Sequence, residues 1–112
     1  MNITESKQGN VTILQAQGKL DSMSSPELDK RLTSLVESGI RQIAVDLAGI
    51  DYVSSAGLRV FLSAAKRLKQ AQGKLALANP SAQVQQIFDI AGFASIMPIF
   101  KTLNEAVGAC AL

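Results

Sequence analysis

The chain has 112 residues, a net charge of +2 and 47% hydrophobic residues, so it has enough apolar content for one folded domain spanning residues 1–112. It contains no histidine, which excludes Ser-His-Asp and Cys-His nucleophilic catalysis, histidine metal sites and histidine acid–base chemistry. Its one cysteine, Cys110, excludes an internal disulfide and a cysteine zinc cage, and favours a cytoplasmic location. The mild, dispersed charge argues against direct binding of nucleic acid, and no apolar run is long enough to insert into a membrane.

The first elements in chain order are a predicted hairpin and a predicted helix. Residues 3–6 and the alternating apolar segment Val11–Leu20 flank a turn at residues 8–10, which indicates two paired strands. Ser24 and Glu27 stand at capping-box spacing with a proline between them, which indicates the start of a helix. The apolar residues of this helix recur at helical spacing: Leu28, Leu32, Leu35 and Val36.

A short apolar strand over Ile43–Leu47 comes next and leads toward two adjacent serines, Ser54 and Ser55. A second amphipathic helix starts at these serines and breaks near Gly73. Five residues form the face that we predict to lie in the core: Leu58, Phe61, Leu62, Ala65 and Leu68. The chain therefore turns from strand to helix at a point where it presents hydroxyl groups.

The last third of the chain again alternates predicted strands and helices. Leu75–Ala78 is predicted to be a buried strand, and residues 79–81 start a third helix that Gly92 ends. Ile96–Phe100 is predicted to be an edge strand, because its proline cannot donate to a central ladder. A second capping-box spacing at Thr102 introduces a final short helix. The order predicts a single α/β domain whose N-terminal β-hairpin is followed by alternating helices and strands, with a mixed sheet and helices packed on it.

The turn at Ser54 and Ser55 is compatible with few kinds of chemical function. A strand–serine–helix turn is similar to a nucleophile elbow, but Val53 stands where that pattern needs glycine, and no base is available. No phosphate-binding glycine pattern occurs, and Asp46 and Asp51 are better explained as loop-capping residues than as a magnesium pair, so we expect no metal, no cofactor and no enzymatic activity. A serine at the first turn of a helix either caps it or is a site of phosphorylation, because free N–H groups there favour an anion.

In this turn the sequence resembles the STAS family, specifically the small bacterial anti-sigma factor antagonists, over nearly the whole chain. Their Asp-Ser-Ser/Thr-Gly-Leu turn is matched here by residues 54–58, and their early G-x-L/I-D segment by residues 18–21. The resemblance implies that Ser55, in preference to Ser54, is the phosphorylated residue, and that Gly57 lets the helix start close to its neighbours. Asp21 either assists at the turn, by orienting the hydroxyl or contacting the kinase, or caps its own loop. The chain departs from the pattern at Ser54, where the family has an acidic residue, and at Ala56, where it has a hydroxyl.

The resemblance also implies partners. An anti-sigma factor that is also a serine kinase would bind the unphosphorylated form, and a serine phosphatase would restore that form, so that release of a sigma factor regulates transcription. We expect the partner to contact the turn and the exposed side of the helix after it: Asp21, Asp51, Ser54, Ser55, Ala56, Gly57 and Arg59. The free protein is expected to be a monomer. The alternative is a STAS interaction subunit of a lipid or anion transport assembly, which would not be phosphorylated.

Overall fold

The computed structural model describes residues 1–111, which form one sheet with helices on both faces. No helix in this range is long and apolar enough to cross a membrane. The elements in chain order are β1 (Asn2–Gln8), β2 (Val11–Leu20), α1 (Ser25–Glu37), β3 (Gln42–Val53), α2 (Ser55–Gln70), β4 (Lys74–Ala78), α3 (Ala82–Ile90), a 3₁₀ helix (Phe93–Ser95), β5 (Ile99–Phe100) and α4 (Leu103–Ala111).

The five strands lie side by side in the order β1-β2-β3-β4-β5. β1 pairs with β2 in the antiparallel sense, and each later pair is parallel. The predicted mixed sheet is therefore confirmed. The prediction of an edge strand over Ile96–Phe100 is right in place and too long, since only Ile99–Phe100 pairs. Residues 96–98 follow the 3₁₀ helix without pairing to β4, and they carry Met97 into the core.

β3 is much longer than the predicted strand Ile43–Leu47. After Leu47 the exposed residues Ala48 and Gly49 interrupt the apolar run, but the strand continues to pair with β2 through two register shifts, as far as Val53. Such irregularities keep two strands paired while one of them bends. β3 consequently delivers the chain directly to Ser54.

The core lies on both faces of the sheet, because the parallel strands alternate their side chains between two covered sides. α1, α2 and α3 cover one face, where large side chains of the strands, such as Leu14 and Val45, pack against Phe61 of α2 and Phe88 of α3. α4 covers the other face, where smaller residues such as Ile13, Ala44 and Ala76 meet Val107 and Cys110.

The predicted core face of α2 is partly wrong. Its buried residues are Gly57, Val60, Phe61, Ala64 and Leu68. Leu62, which we predicted to be buried, is 37% exposed, while Leu58 and Ala65 are half-buried at the edge of the core. Consecutive helical residues point about 100° apart, so burying the stripe that contains Phe61 and Ala64 turns Leu62 toward the surface.

All four predicted helix starts are confirmed, because α1 begins at Ser25 with Ser24 as its N-cap residue, and α2, α3 and α4 begin directly after Ser54, Ser81 and Thr102. Side-chain oxygens of Ser54, Ser81 and Thr102 accept hydrogen bonds from backbone N–H groups three residues later. The predicted capping box at Ser24 is wrong, because the Ser24 hydroxyl donates to the carbonyl oxygen of Lys19 at 2.6 Å instead of capping α1.

Candidate functional site

The serine turn, residues Ser54–Leu58, joins the end of β3 to the first turn of α2. The Ser54 N–H donates to the carbonyl oxygen of Leu20 at 2.8 Å, which ties the turn to the end of β2. Because β2 and β3 are parallel, their carboxyl ends lie at the same edge of the sheet, the usual place for a functional site in a parallel sheet. The loop after β2, which begins at Asp21, therefore lies next to the serine turn.

Ser54 is the N-cap of α2. Its backbone is extended, with φ −85° and ψ 175°, and its Oγ accepts a hydrogen bond from the Gly57 N–H at 3.4 Å. Its carbonyl oxygen accepts from the Leu58 N–H at 2.9 Å. Ser54 thus makes the bonds of a capping residue, and its side chain is half-buried.

Ser55 has a different environment one residue later. It is the first residue of α2 and is exposed, and its hydroxyl makes no hydrogen bond to any other residue in the range 1–111. The first N–H groups of a helix lack intrahelical acceptors, and the positive end of the helix dipole lies there. A negatively charged group added to Ser55 would therefore be stabilised by the helix that follows.

Gly57 allows α2 to begin against β2. A Cβ atom placed on Gly57 would lie 2.8 Å from Leu20 Cγ and 3.0 Å from the Leu20 carbonyl oxygen. Atoms in real proteins do not approach a Cβ as closely as the first of these distances, so any larger residue would move α2 away from β2. The close packing of the helix start that the resemblance implied is present.

Asp21 organises its own loop. Its Oδ1 accepts hydrogen bonds from the N–H groups of Met23 at 3.0 Å and Ser24 at 3.1 Å. These bonds, that of Ser24 first, hold the pKa of the Asp21 carboxyl below its ordinary value. The loop-capping interpretation of Asp21 is thus confirmed, and no hydrogen bond described within residues 1–111 joins it to Ser54 or Ser55. A role in contacting a partner stays a prediction.

The other residues predicted to contact a partner lie around the turn. Asp51 is exposed near the end of β3, and Ala56 is half-buried in the first turn of α2. Arg59 is exposed and stands four residues after Ser55, which places it one helical turn further along the same side. The sheet thus gathers residues from the ends of two strands and the start of one helix at one edge.

Two grooves flank the serine turn. One has a volume of about 280 Å³ and lies between the turn and α3, with Tyr52, Ser55, Leu58 and Ile90 among its lining residues. The other, of about 320 Å³, lies between the first turns of α1 and α2 and is more polar. Ser55 therefore stands at the rim of an apolar groove, where a bound protein surface would cover it.

The apolar side chains that border this groove were not predicted from the sequence. Tyr52 is 47% exposed and Ile90 is 82% exposed, although both are large hydrophobic residues. Ile90 lies off the stripe of Val84 and Phe88 in α3, and that mismatch is the signal that could have identified it, whereas Tyr52 alternates with buried Ile50 in β3 and gives no such signal. Large exposed apolar residues next to a polar turn are typical of a protein-binding surface.

The carboxylate of Asp46 is engaged within the fold. Asp46 is buried, and its carboxylate accepts hydrogen bonds from the Ala48 N–H at 3.0 Å and from the side-chain amide of Gln15 at 3.1 Å. No group of three or more acidic or cysteine residues within 1–111 is arranged to hold a metal ion. Asp46 instead braces the bend where β3 passes Ala48.

Comparison with known proteins agrees with this geometry. The family model of the STAS domain matches residues 2–106. A Bordetella bronchiseptica protein assigned as an anti-sigma factor antagonist, BtrV, is 38% identical over 97% of this chain and 94% of its own length. The anti-sigma-B factor antagonist of Staphylococcus aureus is 30% identical over 88% of this chain and 92% of its own length.

The fold is also found among solved structures. The crystal structure of an anti-sigma factor antagonist from Mycobacterium paratuberculosis superimposes with a TM-score of 0.90, covering 99% of this chain and 94% of that one at 17% identity. At that identity the likeness concerns the fold alone, and the family assignment depends on the sequence matches. With its serine turn, its mixed five-stranded sheet and these relatives, the chain belongs to the STAS domain family, in the group of the anti-sigma factor antagonists.

Proposed function

We propose that this protein is an anti-sigma factor antagonist controlled by phosphorylation of Ser55. In its unphosphorylated form it binds an anti-sigma factor that is also a serine kinase, and the sigma factor so released changes transcription. Phosphorylation abolishes the binding, and a serine phosphatase restores it. The observation that carries the proposal is the exposed hydroxyl of Ser55 at the first turn of α2, which makes no hydrogen bond within residues 1–111, in a chain whose relatives are named anti-sigma factor antagonists.

Ser55 is favoured over Ser54 because of what each hydroxyl already does. The Ser54 side chain is half-buried and is engaged in the helix cap. The Ser55 side chain is exposed and can enter a kinase site without breaking a bond of the fold. Attack of its Oγ on the γ-phosphorus of ATP forms the new O–P bond, the bond to ADP breaks, and the hydroxyl proton passes to a base of the kinase.

The phosphate would act as a switch through its charge. It adds about −1.5 to −2 charges at neutral pH, and the N-terminus of α2 can accommodate them without refolding. The same charge stands at the rim of the apolar groove that Tyr52 and Ile90 border. A partner that covers this groove with apolar or acidic groups would have to desolvate the phosphate, which costs far more than the contact contributes.

The proposal is tested by identifying the phosphorylated residue. The purified protein is incubated with ATP and its cognate anti-sigma factor kinase, and phosphopeptides are mapped by mass spectrometry. We expect phosphate on Ser55 of the wild type, none on Ser55→Ala, and full phosphorylation of the matched variant Ser54→Ala. Phosphate on Ser54 would contradict the assignment of the site to Ser55. An unchanged affinity of Ser55→Asp for the kinase would contradict the switch.

The protein in this proposal is a monomeric, cytoplasmic regulator with no catalytic activity of its own and no contact with DNA. The alternative, an unphosphorylated subunit of a lipid or anion transport assembly, predicts a different experimental result. In that case purification of the protein from its own cells would yield transport components, no serine kinase and no phosphate on Ser55. The names of the relatives at 38% and 30% identity favour the antagonist.

A further inference from the structure

A second exposed apolar surface lies on α2, beyond the serine turn. Leu62, Ala65, Lys66 and Lys69 of α2 and Ile96 after the 3₁₀ helix line a groove of about 340 Å³, which we call the lysine groove. Leu62 is 37% exposed and Ile96 is 53% exposed. Neither side chain contributes to the serine turn, and both remain in contact with water in the free protein.

The lysine groove lies on the same side of α2 as Ser55. Helical positions advance by about 100°, so Ser55, Leu58, Leu62 and Lys69 fall within one stripe roughly 60° wide. Ser55 and Leu58 line the groove between the serine turn and α3, and Leu62 and Lys69 line the lysine groove. The stripe is about 21 Å long from Ser55 to Lys69, at about 1.5 Å per residue.

The charged residues of α2 are all basic. Residues 52–88 contain two arginines, three lysines and no acidic residue, and the two lysines of the groove belong to this stretch. Within residues 1–111, Arg31 forms an ion pair with Glu5. In the same range, neither Lys66 nor Lys69 has a carboxylate partner. Within the described part of the chain, no carboxylate therefore neutralises the positive charge of the groove.

We propose that the partner bound at the serine turn also places an acidic segment with apolar side chains in the lysine groove. This inference rests on the proposed function, since it assigns both surfaces to one partner. Carboxylates beside Lys66 and Lys69 would complement the charge, and an apolar side chain would cover Leu62 and Ile96. The concave shape fits a protein segment better than a lipid surface, into which apolar side chains must protrude.

The test compares affinities of purified variants for the cognate anti-sigma factor kinase. In Lys66→Glu/Lys69→Glu the groove becomes acidic, and we expect binding to weaken about tenfold or more, mainly through slower association. The matched control Lys7→Glu/Lys30→Glu makes the same change of charge at exposed residues outside the three grooves, and we expect less than a twofold effect. Leu62→Ala should weaken binding about fivefold through faster dissociation, with little dependence on salt. Thermal unfolding of each variant checks that the fold is intact.

The outcomes separate the two proposals. If Ser55→Asp abolishes binding while the two groove variants bind as tightly as the wild type, the lysine groove is not part of the interface and only this inference falls. If the wild type neither binds the kinase nor accepts phosphate, both fall. Two further results would also overturn it: binding of phosphatidylglycerol vesicles through the lysines with unchanged affinity for the kinase, or self-association that Leu62→Ala abolishes.

Discussion

Ser54 and Ser55 are adjacent in the chain but have different structural roles. Ser54 accepts the Gly57 N–H and caps α2, whereas the hydroxyl of Ser55 is exposed and unbonded within the described residues. Replacing a capping serine by alanine costs about 1 kcal/mol, and an exposed residue without such a role costs at most about 0.5 kcal/mol. We expect Ser54→Ala to lower the free energy of unfolding by about 1 kcal/mol and Ser55→Ala to leave it nearly unchanged. Urea unfolding followed by circular dichroism measures both, and equal losses would contradict these roles.

Gly57 is the residue on which the position of α2 depends. Alanine there would bring its Cβ to 2.8 Å from the side chain of Leu20. Overpacking of this kind costs about 1–3 kcal/mol, which outweighs the gain of about 0.5–1 kcal/mol that alanine gives over glycine within a helix. We expect Gly57→Ala to destabilise the protein and to weaken partner binding, because the serine turn moves with the helix.

Gly108 provides the control for that substitution. It lies within α4, and a Cβ placed on it meets nothing within 4 Å. Gly108→Ala should therefore stabilise the protein by about 0.5–1 kcal/mol, the propensity difference alone. Opposite signs for the two substitutions in urea unfolding are the expected result, and a shared sign would contradict the close packing at Gly57.

Among the elements, the sequence predicted the helices better than the ends of the strands. Helix starts at Ser54, Ser81 and Thr102 were identified because a cap is a local signal. The full length of β3 was not predicted, since exposed Ala48 and Gly49 end the apolar pattern while backbone pairing with β2 continues. The exposure of Leu62 was also missed, because the rotation of a helix about its axis depends on what it packs against.

The loop between β2 and α1 depends on one carboxylate. Hydrogen bonds from the N–H groups of Ser24 and Met23 hold the pKa of Asp21 below its ordinary value of 3.8. A depressed pKa in the folded state means that the ionised carboxylate stabilises the loop above the ordinary pKa. That contribution is lost as the pH falls through the lower, folded-state pKa. We expect an NMR titration to place the Asp21 midpoint below 3.8.

A matched variant tests this assignment. In the wild type, the amide signals of Met23 and Ser24 should shift with the same midpoint as the Asp21 carboxyl. In Asp21→Asn that titration should disappear from both amides, because the asparagine side chain does not ionise. Amide shifts that persist in the variant would assign the effect to another group.

At the scale of the whole molecule, alternating helices and strands predict a parallel sheet but do not predict which helices share a face. α1, α2 and α3 lie on one face, and α4 covers the other. The apolar stripe of a helix has the same pattern on either side of a sheet, so the division depends on the path of the connections. For the same reason the sequence identified the serine turn but not the two grooves beside it, which form only when α1 and α3 pack next to α2.

Because α4 packs against its own face of the sheet, Cys110 is buried while Ser55 at the start of α2 is exposed. Cys110 lies on the face of α4 that packs against the sheet, where its thiol donates to the carbonyl oxygen of Ile43 at 3.5 Å and burial raises its pKa. A thiol reagent needs an accessible thiolate, so Cys110 of the native protein should react only as fast as α4 leaves the sheet. The matched variant Ser55→Cys/Cys110→Ala carries its thiol at the exposed start of α2, where the helix dipole favours the thiolate. We expect it to react with a disulfide reagent at least 100-fold faster than the wild type in the absence of urea, and in denaturing urea the two rates should converge. Rapid labelling of native wild-type protein would contradict the packing of α4, and slow labelling of the variant would contradict the accessibility of residue 55.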